Sequence, residues 1–361
     1  MLFSSHAQRG VMWVLPLLFL FPAPGSGQNI KMKNAQKWTL SGKVQLQHLY
    51  NASTESDAGI TNNGFRIRRG RLQIKTNLTE FISTKFQIEV RDNSPRLKDA
   101  EGKITLPNNT FLRFGQFKAP VWREELRSSS KLFLVERSLA AAFLAKNNFS
   151  ARHIGVEFGL KTSAGAQFAV NYSNGAGEGS REDAGRRKNA VINNGKMLAG
   201  RIELPLGKKM NIGFSAVRNS TGMLTTDGDT RGTATLFAPD FNLKLAVGSG
   251  AVLEVDGGLG FGSFSDSGVN TGEDKKFTLL DISGEWKKKL GRANESLGGL
   301  DGFGFAAGFS SVDFRGTTSA VRFGPTFTFG KQTRLQLNAE LINPENGDRT
   351  VNYRSMITFN Y

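Results

Sequence analysis

Basic residues in this chain recur at alternate positions beside apolar ones. Arg71 and Lys75 alternate with Leu72, Ile74 and Leu78, Lys85 and Arg91 with Phe86, Ile88 and Val90, and Arg113 stands between Leu112 and Phe114. Lys43 shares a face with Ser41 and Gln45, opposite Leu40, Val44 and Leu46. Arginine offers a planar fork of donors that suits paired oxyanion oxygens, and lysine offers a compact point charge. A row of such cations in a narrow aqueous space attracts anions, repels cations and replaces part of an ion's hydration shell. Arg68 and Arg69 are adjacent, so in a regular strand they point opposite ways. Both face one side only if the strand bulges, and Gly70 would permit that.

Bond-making chemistry finds little support. His48 and His153 are the only histidines beyond residue 27, and only Ser150 lies near one of them. There is no cysteine, which excludes disulfides and thiolate metal sites. Glu124–Glu125 and Glu273–Asp274 are loop carboxylate pairs and read as solvated charges. The run Gly257–Phe264 lacks a phosphate-loop ending and a following helix, and reads as a kinked strand. No cofactor is implied and the chain is not expected to be an enzyme.

The elements that must position the cations are strands. Two-residue alternation recurs from Trp38 to Tyr361, with turn residues between segments. In the last segment Val351, Tyr353, Ser355, Ile357 and Phe359 oppose Asn352, Arg354, Met356, Thr358 and Asn360. About seventeen segments can be read, and bacterial barrels favour even numbers. The expectation is therefore an all-β transmembrane antiparallel β-barrel of sixteen strands, with two short runs near 231–247 merging or one being loop. Short turns such as 207–209 and 344–348 alternate with long stretches at 51–63, 174–195 and 263–276. A lipid-facing Arg or Lys at mid-bilayer costs about 2–4 kcal/mol, so the alternating cations are expected inside.

One long stretch, 118–150, is neither strand-like nor glycine-rich, and SSSKLFLVERSLAAAFLAK within it could form a short helix. An excursion of that length needs a purpose. It would fold inward as a constriction loop or lie over the rim as a lid, and the inward arrangement is the one adopted. Within it, Arg123, Arg127 and Lys131 read as solvated loop charges. Glu136 and Arg137 either form an ion pair pinning the loop or serve the passage.

Residues 1–27 carry Arg9, an apolar run from Val11 to Phe21, then small residues and prolines. That is the layout of a cleaved secretory signal, leaving 28–361 as the barrel. The formal net charge of +16 calls for an anionic partner. Export argues against nucleic acid and favours small anions or lipopolysaccharide.

Three stretches carry a resemblance: FRIRRGRLQIKTNLTEFISTKFQIEV (65–90), LKDAEGKI (97–104) and FLRFGQFKAPVWREELRSSSKLFLVERSLAAAF (111–143). Together they resemble the phosphate-selective porins O and P, in an arginine pair opening a strand, an LKDA-like turn, a GQFKxP-like strand end and an ERS element in a constriction loop. The resemblance implies a sixteen-stranded barrel in the bacterial outer membrane. It also implies a homotrimer contacting lipid and lipopolysaccharide and passing small inorganic anions, plausibly phosphate or polyphosphate, through a lumen lined by Arg and Lys. By position it makes Arg68 and Arg69 the pore pair, Arg137 a constriction-loop arginine, Lys43 and Lys85 lumen cations, Arg113 a lumen cation before FG, and Asp99 an acid near the constriction. A general porin of weak anion preference, or a plugged barrel anchoring an envelope complex, are the alternatives. The family's arginine-rich mid-chain stretch has only a poorly aligning candidate, Arg181, Arg186, Arg187 and Lys188. That departure bears on phosphate selectivity and not on anion preference.

Overall fold

Strands that alternate apolar and polar side chains bury neither face in a single layer, unless lipid covers one and water fills the other. In the computed structural model, strands of this kind close into a ring. The structure describes residues 34–51, 63–91, 94–179, 190–192, 195–221, 223–225, 228–229, 231–266 and 275–361. The leader at 1–27 and the basic stretch at 181–188 fall outside them.

Among the described residues sixteen strands form the barrel: β1 (Lys37–Asn51), β2 (Asn63–Asn77), β3 (Ile82–Arg91), β4 (Ser94–Leu106), β5 (Thr110–Lys118), β6 (Arg152–Lys161), β7 (Gln167–Ser173), β8 (Met197–Leu206), β9 (Met210–Thr221), β10 (Gly232–Ala246), β11 (Ala251–Asp266), β12 (Lys275–Asn294), β13 (Leu300–Asp313), β14 (Thr317–Phe329), β15 (Thr333–Asn343) and β16 (Thr350–Asn360). The two short runs near 231–247 are one strand, β10. Each strand pairs antiparallel with its chain neighbours, and β1 pairs with β16 to close the ring. Three short strands, 190–192, 223–225 and 228–229, form a separate small sheet. No described helix is long and apolar enough to cross a membrane.

The outer face carries exposed Phe86, Phe158, Phe305 and Phe323, while Gln45, Gln47, Ser215 and Thr358 are buried on the other. The last strand keeps its expected alternation, with Tyr353 and Phe359 exposed and Asn352, Met356 and Thr358 buried. At the seam Gly42 N–H donates to Tyr361 O at 2.7 Å and Tyr361 N–H to Gly42 O at 3.0 Å. A Cβ on Gly42 would stand 2.4 Å from the Tyr361 ring, so glycine is what lets that ring lie across the seam.

Residues 119–151, between β5 and β6, hold two short helices, α1 (Arg123–Leu126) and α2 (Leu139–Lys146). Ser138 caps α2, accepting from Ala141 N–H at 3.1 Å. Ala140, Ala141 and Leu144 of α2 join Val121, Trp122 and Phe149 in an apolar cluster with Met197, Val217, Leu236, Phe277 and Leu279 of β8–β10 and β12. Part of the inner wall is therefore apolar and covered by this segment. Gly258 of β11 gives Trp122 its room, since a Cβ there would lie 2.9 Å from the indole. The glycine run around it lies within a strand, in unbroken register with β12 from Ala251 to Phe264.

Candidate functional site

Side-chain parity on β2 changes within the strand. Phe65 and Ile67 are exposed before the change and Leu72 after it, so the outer face passes from odd to even positions. The register against β1 shifts at the same point, with Gln45 opposite Arg69 and Leu46 opposite Ile67, leaving Arg68 as the extra residue. This one-residue bulge turns both members of the Arg68–Arg69 pair to one side. It brings Arg66 and Arg71 to that side as well. The bulge falls on Arg68 itself, and Gly70 keeps an ordinary φ.

Glu136 of the 119–151 segment meets three of these arginines. Arg68 grips it bidentately, Nε to Oε1 at 2.5 Å and Nη2 to Oε2 at 2.8 Å. Arg69 Nη2 lies 3.7 Å from Oε2, and Arg66 Nη2 3.6 Å from Oε1. Gln47 Nε2 donates to Oε1 at 3.2 Å, and Arg322 Nη1 donates to the Glu136 carbonyl at 2.8 Å. Burial alone would push the Glu136 carboxyl up. The Arg68 hydrogen bond, with the charges of Arg68, Arg69 and Arg354, outweighs burial and holds it at about 2.

A second group gathers one step along the same wall. Lys43 Nζ donates to Ser129 Oγ at 2.9 Å and Ser128 Oγ at 3.3 Å, so its hydrogen bonds go to hydroxyls rather than a carboxylate. Arg71 reaches Ser129 Oγ at 3.4 Å and pairs with Glu89 at 2.5 Å. Arg69 donates to Gln45 at 2.9 Å, and Gln45 in turn donates to Ser129 O at 3.3 Å. Lys43, Arg69 and Arg71 are thus linked through one serine turn and one glutamine.

The remaining expected residues lie further round. Lys85 pairs with Asp99 at 3.3 Å and Glu101 at 2.8 Å. Asp99 also takes Arg152 Nε at 2.6 Å. Arg113 pairs with Glu157 at 2.6 Å and Glu101 at 3.5 Å, and stacks over Phe117. Arg137 makes its hydrogen bonds within the segment, while its charge still acts on Lys43 and Arg69 of the wall. Its guanidinium donates to the carbonyls of Glu124, Glu125 and Arg127 and pairs with Glu125 at 2.8 Å. It is no partner of its neighbour Glu136 and serves to fold the segment on itself.

Several expectations for this segment are corrected. Glu124 and Glu125 are buried, not solvated, and Glu124 accepts from Ser138 N–H and Oγ. Arg123 pairs with Asp240 and Glu203, and Arg127 with Glu254 and Asp256, so neither is a solvated loop charge. Lys131 is exposed, as expected. His153 Nε2 meets the Ser150 carbonyl at 3.0 Å, not its hydroxyl, so the two form no nucleophile–base pair. Among the described residues no group of His, Cys, Asp or Glu could hold a metal ion.

Sequence reading missed Arg66, Arg152 and Lys98. Lys98 is the extra residue of a second bulge, where Gln87 opposes Asp99 and Ile88 opposes Leu97. That bulge lets Lys98 reach Glu178 at 2.7 Å while Asp99 still meets Lys85. The available signal was the cluster of charges at adjacent positions in RIRR and LKD.

The arrangement offers cations and hydroxyls to oxyanions and holds no reacting nucleophile. The chain matches no curated protein in sequence. Among solved structures it is similar in fold to an anion-selective porin from Comamonas acidovorans, with TM-score 0.65 and 12% identity, over 90% of this chain and 99% of that one. It is also similar to OmpT, an outer membrane protein of Vibrio cholerae (TM-score 0.60, 8% identity, 90% and 97% covered). The outer membrane channel DcaP of Acinetobacter baumannii gives TM-score 0.58 at 13% identity, with 92% and 99% covered. The family described as phosphate-selective porin O and P matches residues 42–224. The chain belongs to that family, whose members are channels rather than enzymes, and is a porin of the bacterial outer membrane.

Proposed function

We propose that the protein passes small inorganic anions by diffusion, with phosphate or polyphosphate as the physiological class. The passage runs beside Lys43, Arg68, Arg69 and Arg71, with residues 119–151 folded inward to narrow it. Lys85, Arg113 and Asp99 belong to the adjoining wall, and Arg137 holds the narrowing segment in shape. The observation that carries this reading is the bulge at Arg68, which places Arg66, Arg68, Arg69 and Arg71 of one strand on a single face. Lys43 adds a further basic side chain whose hydrogen bonds go to hydroxyls and not to a carboxylate. At about 4 Å a unit charge is worth about 4 kcal/mol at the effective dielectric of a protein surface, enough to sort ions by sign.

A second reading, a general porin with mild anion preference, is favoured by the carboxylates opposite many of these cations. Arg71 faces Glu89, Lys85 faces Asp99 and Glu101, and Arg113 faces Glu157. A homotrimer is the proposed assembly, in keeping with the trimer form described for Vibrio cholerae OmpT.

The test is the reversal potential of single channels in a potassium chloride gradient, followed by titration of the chloride current with phosphate. The wild-type channel should favour anions, and K43A/R69A should lose about threefold or more of that preference. A cation-selective wild-type channel would overturn the proposal. Phosphate that leaves the chloride current unchanged would retain the porin and remove phosphate as its solute.

A further inference from the structure

The arginines around Glu136 make the contacts that bind a free oxyanion, but the anion they hold is part of the chain. Two parallel N–H···O bonds from Arg68, flanked by Arg66 and Arg69, are the geometry by which arginine takes phosphate, sulfate or carboxylate. Gln47 supplies a further neutral donor. The carboxylate is not sealed off, since its side chain is 17% exposed and that of Arg66 38%. It reaches the cluster on a segment fastened elsewhere, by Arg322 at its own carbonyl and by Arg137 next to it.

We infer that Arg66, Arg68 and Arg69 form an oxyanion site whose resident ligand is the tethered Glu136, so that permeating anions compete with this carboxylate for the cluster. The inference rests on the porin reading and adds a determinant of specificity to it. Arg68 and Arg69 supply the attraction and Glu136 limits it. A carboxylate at high effective concentration keeps the cluster from retaining a divalent anion too long, and a pore site must release what it binds. One negative charge shared among three guanidiniums leaves a local excess of positive charge, so a monovalent anion is still drawn past.

The decisive variant is E136Q, which keeps the side-chain shape and an amide oxygen for Arg68 while removing the charge. Wild type, E136Q and E136Q/R68Q are inserted into planar bilayers. The anion-over-cation permeability ratio is read in a potassium chloride gradient, and sodium sulfate is titrated against the chloride current. E136Q should raise the ratio by about threefold or more and lower the half-blocking sulfate concentration about tenfold. E136Q/R68Q should return both toward wild type. Where E136Q does not fold, as judged by heat-modifiable migration, E136D is measured instead. It keeps the charge but withdraws it by one methylene, and should shift both readouts in the same direction by a smaller factor. A conducting wild-type channel whose ratio and sulfate block stay within about 1.5-fold in the folded variant would overturn this inference and leave the porin standing. Absence of current from every folded protein would overturn the porin reading as well.

Discussion

Glu136 and Arg137 are adjacent but their side chains serve different contacts. One side chain is spent on the barrel wall and the other on the carbonyls of residues 124, 125 and 127. Arg137→Ala should therefore loosen the segment that carries Glu136 to the wall. Charged hydrogen bonds of this kind contribute about 1.5–3 kcal/mol each, and the loss should appear as noisier single-channel current and faster proteolysis within 119–151. The pH dependence of the other residue follows from its depressed carboxyl. An unfolded glutamate titrates near 4.3 and Glu136 at about 2. Its contact thus contributes in full above the unfolded value and is lost as pH falls through the folded one. The facing groups are Arg66, Arg68 and Arg69 of β2, Gln47 of β1, Arg322 of β14 and Arg354 of β16. The difference in anion preference between wild type and E136Q should stay level from about pH 8 to 4 and shrink only on approach to about 2. A step in that difference near neutral pH would contradict this. At this scale the sequence made Arg71, Lys85 and Arg113 readable, because parity alone assigns their side. The target of Arg137 was not readable, since its acceptors are backbone carbonyls about ten residues back that only the folded segment brings near.

At the level of elements, two bulges do similar work on β2 and β4. Each adds one residue within a charged cluster, so apolar residues face outward on both sides of it while adjacent charges face inward. Deleting Arg68 would restore regular pairing with every other residue on its present face, because Ile67 opposite Leu46 would then run directly into Arg69 opposite Gln45. What is lost is the bidentate grip on Glu136. The expected outcome is that the heat-resistant folded band is retained, as it should be in R68Q. The strands and the short helix could be read from alternation and from LAAAFLAK. The apolar patch on the inner wall could not, because Val217, Leu236, Phe277 and Leu279 sit where a barrel rule assigns polar residues. Their partner is α2 and not lipid. Leu144→Ala in α2 should cost about 2–5 kcal/mol of packing there, read as a lower temperature for loss of the 119–151 structure.

Over the whole molecule, the basic excess is distributed unevenly. On the inner face most cations have a carboxylate close by, and a further basic group, Lys287, Lys288, Lys289 and Arg292, lies exposed toward the end of β12, with Glu285 near Lys287 and Glu295 near Arg292. Net charge alone therefore overstates the pull inside the ring. That distribution is invisible to composition and could be inferred only once the strands were registered against one another. Closure, by contrast, was implied by alternation repeated up to a final terminal segment, and the structure completes it with Gly42 against Tyr361. Gly42→Val would drive a side chain into that ring and should lower the temperature at which the folded band is lost.

The pairing of 43–51 with 352–360 joins segments some three hundred positions apart, so it is the slowest contact to find and the last to form. Until it does, the nascent sheet has two bare margins with unpaired amides and carbonyls, and these two margins are complementary to each other. In a crowded periplasm the margin of one copy can therefore meet that of another before it meets its own. The same register that seals a single ring would then join molecules end to end into open polymers.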